Sequence, residues 1–140
     1  AMAPRHGKDF LELYEKRVPS FFLADSREAI DDLQAHFPEV KLLYMGDNLG
    51  GADIIPRENG KVIGAKRVLD HYHTDLSNAV AIGDSMNDLE LIRAAGFGIA
   101  MGNAMTKVQA IADYVTADIE HDGLAQAINQ ALTHFADHFA

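Results

Sequence analysis

Asp84 and Asp88 stand four residues apart in the run Gly83-Asp84-Ser85-Met86-Asn87-Asp88, where an apolar stretch ends and a helical pattern begins. That spacing predicts a shared face in the first turn of the helix, with Asn87 one step round from Asp88. Two carboxylates held side by side repel, and a hard divalent cation relieves the repulsion. Mg2+ commonly takes one or two protein carboxylates and keeps waters and phosphate oxygens as its other ligands. The same helix start offers the positive end of its dipole to a phosphate. Gly83, lacking a Cβ, would let a metal-bound ligand come close to the backbone. The plainer alternative is that Asp84 caps the helix and Asp88 is an acidic first-turn residue.

The elements around this run decide where it sits. Residues 79–82 are continuously apolar, and Met86, Leu89 and Ile92 line the helix that follows, while Ala65, Val68, Leu69 and Tyr72 line a helix before it. Residues 97–101 form a further buried run, Met105, Val108 and Ile111 a helical face, and 114–117 a last strand. Leu124, Ile128, Ala131, Leu132 and Phe135 line the closing helix. Apolar strands alternating with helices predict an α/β fold with a parallel sheet covered by helices on both faces. Ligands of such sheets gather at the carboxyl ends of the strands, which is where Asp84 falls.

Before residue 60 the pattern differs. Residues 9–17 read as a helix and 18–24 as a short strand; Asp25 with Glu28 reads as a capping box opening a helix with Ile30, Leu33 and Phe37 on its stripe, stopped by Pro38. Residues 40–45 and 52–56 read as strands around a turn at 46–51, and Arg57-Glu58-Asn59-Gly60 breaks the pattern again. The expected division is a tag or disordered leader over 1–7, a first lobe over 8–60 and a second over 61–140.

Composition narrows the partners. The 140 residues carry 12 Lys and Arg against 21 Asp and Glu, a formal charge of −9, with 48% apolar residues and neither Cys nor Trp. A chain of this length buries roughly 68% of its unfolded surface, enough for a core without the disulfides or thiolate metal sites that the missing Cys excludes. The acidic balance and the lack of a basic stripe argue against nucleic acid. No apolar run approaches the roughly 20 residues of a membrane span, so a cytoplasmic location and no membrane partner are expected.

Gly83-Asp84-x-x-Asn87-Asp88, followed by Gly98-Ile99-Ala100-Met101-Gly102-Asn103-Ala104 and Asp122-Gly123, resembles the C-terminal part of the haloacid-dehalogenase (HAD) superfamily, specifically the Cof-like phosphatases. Lys61 strengthens the likeness: the family places a lysine about two dozen residues before its metal aspartate, after a short strand, and Lys61 precedes Asp84 by 23 with Asp53-Ile54-Ile55-Pro56 as that strand. The resemblance covers residues 52–132 well and 18–51 loosely. It implies Mg2+-dependent hydrolysis of small phosphorylated metabolites such as sugar phosphates, through an aspartyl-phosphate. By the same resemblance Lys61, Asp84, Asn87 and Asp88 are catalytic, Lys61 and Asn87 hold the phosphoryl group, Asp84 and Asp88 serve the metal, and Gly83 and Asn103 support them. The phosphorylation domain of P-type cation ATPases has similar stretches, but this sequence shows no membrane spans and residues 18–56 look cap-like.

The family's first motif, an Asp-x-Asp ending the first core strand, supplies the nucleophile and the acid. Here Asp25 follows Phe21-Phe22-Leu23-Ala24 but position 27 is Arg, and Asp47 follows a second apolar run but position 49 is Leu. Covalent catalysis needs an activated nucleophile in reach. The resemblance therefore implies the C-terminal part of a longer phosphatase, with part of an α/β cap over 8–60 and the second half of the core, a partial Rossmann-like parallel sheet, over 61–140, inactive by itself. The alternative is a non-catalytic Mg2+- and phosphate-binding or interaction module on the same fold. A half sheet leaves an edge unpaired, so self-association is expected. His71 with His73, and His134 with His138, lack a third ligand nearby in sequence and read as surface histidines.

Overall fold

The computed structural model describes residues 20–44 and 51–139. The leader over 1–7, the helix expected over 9–17, the first two residues of the strand expected over 18–24 and most of the turn around Asp47 lie outside the described residues.

Two three-stranded sheets organise the described chain. The first is antiparallel, with β3 (Gly51–Pro56) between β1 (Phe21–Ala24) and β2 (Val40–Tyr44). Direct cross-strand partners share a face. Leu42 opposite Ile54 and Tyr44 opposite Ala52 lie on one face, and Lys41 opposite Ile55 and Leu43 opposite Asp53 on the other. The first face packs on helix α1 (Arg27–His36), where Ile30, Val40, Ala52 and Ile54 are buried. The Arg27 guanidinium lies 3.5 Å from the centre of the Tyr44 ring and the Tyr44 hydroxyl donates to Asp31, holding the helix to the sheet edge.

The cap of α1 differs from expectation. Ser26, not Asp25, is the N-cap: its backbone is extended (φ −60°, ψ 150°) and its hydroxyl accepts from Ala29 N–H at 3.2 Å. Asp25 accepts the Ser26 N–H at 2.6 Å, one residue earlier. A cap bonds the third residue into the helix, and counting three from Ser26 reaches Ala29, so Glu28 has no place in a box.

The second sheet is parallel, in the order β4 (Val80–Gly83), β5 (Phe97–Ala100), β6 (Tyr114–Val115). Alternation sends Ala81 and Ala100 to one side, where they join Ile92 of α3 (Leu89–Ala94) and Val108 of α4 (Thr106–Gln109). Phe97 and Ile99 go to the other, against Ala127 of α5 (Gly123–Phe139). All four residues of β5 are buried, as a strand covered on both faces requires. Burying one isoleucine such as Ile99 contributes about 1.5–3 kcal/mol. The fold is α/β, with the parallel layer that the alternating pattern predicts, consistent with the partial Rossmann-like sheet that the resemblance implies.

Two helices bury less than their stripes suggest. Helix α2 (Lys61–His71) has no buried residue, and Val68 and the following Tyr72 are exposed. Helix α5 turns Ala127 and Ala131 toward the sheet and leaves Leu124, Ile128 and Leu132 exposed. Small residues let the helix sit close over Phe97 and Ile99, and the large ones fall about 100° round the axis. His134 is not a surface residue: half-buried, it stacks on Phe97 with ring centres 4.1 Å apart. His71 and His73 are exposed, and the side chain of His138 lies outside the described residues. Among the described residues no helix is long and apolar enough to cross a membrane.

Candidate functional site

Strand β4 ends at Gly83, and the chain makes a turn before α3 begins at Leu89. Asp84 and Asp88 therefore do not share a helical face; Asp88 is the residue flanking the helix, and its side chain folds back over the end of β4. One of its oxygens accepts the backbone N–H groups of Asp84 and Ser85 at 3.2 and 3.3 Å, and the other accepts from the Lys61 ammonium. Gly83 permits this return, because a Cβ there would lie 2.5 Å from the Asp88 Cβ and Cγ. The missing side chain makes room for Asp88, not for a metal-bound ligand.

Asp88 is only 8% exposed. Burial pushes its carboxyl up, but the Lys61 ammonium and the N–H groups of Ser85 and Asp84 together outweigh burial and hold it below the usual carboxylate range. Asn87 belongs to the same network: its Oδ1 accepts from Lys61 Nζ at 3.1 Å and from Ser85 Oγ at 2.7 Å. Lys61 reaches this loop from the first position of α2, with 49% of its side chain exposed. Gly60 before it has φ +150°, a backbone state that side chains disfavour, and a Cβ there would stand 3.2 Å from Lys41 Nζ.

Asp84 is the exposed one of the two carboxylates. Among the described residues its carboxylate accepts from Asn103 Nδ2 alone, at 3.3 Å. Asn103 is not the cap of α4, which is Met105; it ties Asp84 to a second loop by accepting the Ile119 N–H at 3.1 Å. The Asp84 carbonyl accepts from Met105 N–H at 2.9 Å, a further tie between the two strand ends.

These contacts test the donor set for a metal. Asp84 keeps most of its lone pairs, whereas those of Asp88 are occupied by Lys61, two backbone N–H groups and Ser85 Oγ at 3.3 Å. Among the described residues no group of three or more His, Cys, Asp or Glu could hold a metal ion. The set suits a hard cation that needs few protein oxygens, as Mg2+ does.

A cavity of about 580 Å3 lies beside the site, with Lys61, Met86 and Asn87 on one side and Leu43, Asp53 and Ile55 of the antiparallel sheet on the other. Lys41 of β2 bridges the two sides through Glu90 of α3 at 2.8 Å. Sequence reasoning missed Ser85, Lys41, Glu90 and the placement of Asp53. Ser85 had a signal, a hydroxyl within a turn that bonds its own neighbours. Lys41 and Glu90 had none, being 49 residues apart.

The family model for haloacid dehalogenase-like hydrolases matches residues 4–128. Over 121 residues the chain is 30% identical to YwtE of Bacillus subtilis (strain 168), a 5-amino-6-(5-phospho-D-ribitylamino)uracil phosphatase, covering 86% of this chain and 41% of that protein. The solved structure of BT1666, a phosphatase from Bacteroides thetaiotaomicron, matches with a TM-score of 0.75 at 31% identity, over 91% of this chain and 46% of its own. The subclass IIB sugar phosphatase BT4131 matches with a TM-score of 0.76 at 30% identity, over the same two shares. The chain thus spans less than half the length of each of these proteins.

Proposed function

The chain belongs to the haloacid dehalogenase-like hydrolases, and from that membership we propose that it is the C-terminal part of a Mg2+-dependent phosphomonoester hydrolase acting in the cytoplasm on small phosphorylated metabolites such as sugar phosphates. The observation that carries this reading is the arrangement at the carboxyl end of β4, where the Lys61 ammonium is held by Asp88 and Asn87 while the exposed Asp84 carboxylate accepts from Asn103 alone among the described residues. Residues 8–60 form part of a cap and 61–140 the second half of the core. The sugar phosphatase and the 5-amino-6-(5-phospho-D-ribitylamino)uracil phosphatase to which the chain is similar support the substrate class.

In this reading Asp84 is the direct metal ligand, and Asp88 supports the metal site by holding the turn of residues 84–88 in place. Lys61 and Asn87 face the phosphoryl group: the ammonium offsets its negative charge, and Asn87 offers its amide. Gly83 makes the close return of Asp88 possible, and Asn103 orients Asp84. Bound Mg2+ supplies positive charge to the phosphoryl oxygens, where phosphoryl transfer needs it most. No Asp-x-Asp occurs in the sequence, so the nucleophile comes from residues outside these 140. The test is Mg2+-dependent hydrolysis of an aryl phosphate by the whole protein, expected to be lost in Asp84→Asn. Near-wild-type turnover in that variant would sink the assignment. The missing Asp-x-Asp also favours a second reading, a non-catalytic binding module, which predicts Mg2+-dependent phosphate binding without turnover in the whole protein.

Self-association of the 140-residue chain belongs to the same proposal. Ala79 and Gly83 direct their carbonyls to β5, so Val80 and Ile82 direct theirs away, to an edge of β4 with no strand partner among the described residues. A second copy covers that edge, and a dimer is expected by light scattering; a clean monomer at high concentration counts against it.

A further inference from the structure

Resting on the phosphoryl-binding reading above, we infer that Asp53 is a specificity-determining residue, which favours phosphate monoesters presenting a hydroxyl or ammonium group at the far end and rejects those carrying a second anion there. The cavity of about 580 Å3 has two chemically distinct sides. On the core side Lys61 and Asn87 gather donors for the phosphoryl group. On the other, the exposed face of the antiparallel sheet contributes Leu43, Ile55 and two charged side chains, Lys41 and Asp53.

Those two charges are not equivalent. Lys41 is already compensated, its ammonium 2.8 Å from Glu90 Oε2 with only 19% of the side chain exposed. Asp53 makes no side-chain hydrogen bond or ion pair among the described residues. It sits in the central strand of three, with Phe22 and Leu43 as register partners on either side, so its backbone is fixed before any ligand enters. A carboxylate accepts hydrogen bonds, and one held beside the apolar side chains of Leu43, Ile55 and Met86 rewards a donor and repels an anion more than it would in open water. With Lys41 neutralised by Glu90, Asp53 sets the sign of selection at that end. A phosphate on the core side leaves the remainder of the molecule to meet it.

A matched pair of ligands isolates this effect: a hexitol 6-phosphate and the corresponding 6-phosphohexonate, which differ in a terminal hydroxymethyl against a carboxylate. Calorimetric titration of the 140-residue chain with Mg2+ present reads binding and needs no nucleophile; inorganic phosphate serves as the reference ligand. The hexitol ester is expected to bind about tenfold more tightly than the hexonate. Asp53→Asn, nearly isosteric, is expected to narrow that ratio to within about twofold while leaving phosphate affinity unchanged, and Asp53→Glu to restore it. Equal affinities in the wild type, tighter binding of the hexonate, or a preference that survives Asp53→Asn overturns the role of Asp53 while bound phosphate leaves the phosphoryl site standing. Absence of phosphate binding overturns that site and this inference with it. The wild-type pair alone decides the case should the Asn variant fail to fold.

Discussion

The two sheets have three strands each but deliver functional groups by different routes. The antiparallel sheet is buried on one face only, against α1, so its pleat sends every second side chain of mid-strand, Lys41, Leu43, Asp53 and Ile55, toward the cavity. The central strand of the parallel sheet, β5, is buried on both faces, by α3 and α4 on one and α5 on the other. That strand, Phe97-Gly98-Ile99-Ala100, carries no polar side chain, and the polar groups of the site appear where strands end, at Asp84 to Asp88 after β4 and at Asn103 after β5. A one-sided sheet can thus present a recognition surface, while a two-sided sheet concentrates charge at its carboxyl edge.

Variants can break or sharpen this contrast. Lys61→Ala removes the ammonium from the carboxyl edge, and turnover of the whole protein on an aryl phosphate is expected to fall about 10^2–10^3-fold. An unchanged rate would return Lys61 to the role of a solvated lysine and place the chemistry elsewhere. Asp88→Asn keeps the shape but loses the charged acceptor of Lys61 and of two backbone N–H groups, for an expected loss of about 1–3 kcal/mol in denaturant unfolding. The pH dependence has a definite sign: the folded-state pKa of Asp88 lies below its unfolded value of about 3.9. Its contribution is therefore complete above that value and is lost as pH falls through the depressed one, so the wild type should show an acid loss that Asp88→Asn lacks. The smallest effect is expected from Lys41→Gln, which cuts the tie between the sheets. With Glu90 57% exposed, solvent screens the pair and the change in unfolding free energy should stay below about 1 kcal/mol. A larger loss would mean that the two sheets fold as one unit through that contact.

Much of the parallel layer was legible because its signals are local. The apolar runs at 79–82 and 97–101 became β4 and β5 within one residue, and Gly83-Asp84-x-x-Asn87-Asp88 fell at a strand end, as a strand-to-helix turn must. The antiparallel pairing was less legible, since three short strands admit several orders and nothing in Gly51–Pro56 says that it lies between the other two. The stripe of α5 misled because large apolar side chains at helical spacing indicate a face to be covered, whereas close packing over Phe97 and Ile99 selected Ala127 and Ala131.

The sequence by itself determined the residue types of the site, the spacing from Lys61 to Asp84 and the alternation that makes a parallel sheet, because these depend on neighbours along the chain. Only the tertiary structure decided that Asp88 turns inward to bond Lys61, leaving Asp84 as the exposed carboxylate. It alone also paired Lys41 with Glu90 and left Asp53 in the cavity without a side-chain partner among the described residues. Those outcomes depend on which groups satisfy one another across 27 and 49 residues of chain. Hydrogen bonds and ion pairs form between neighbours in space, and folding chooses those neighbours.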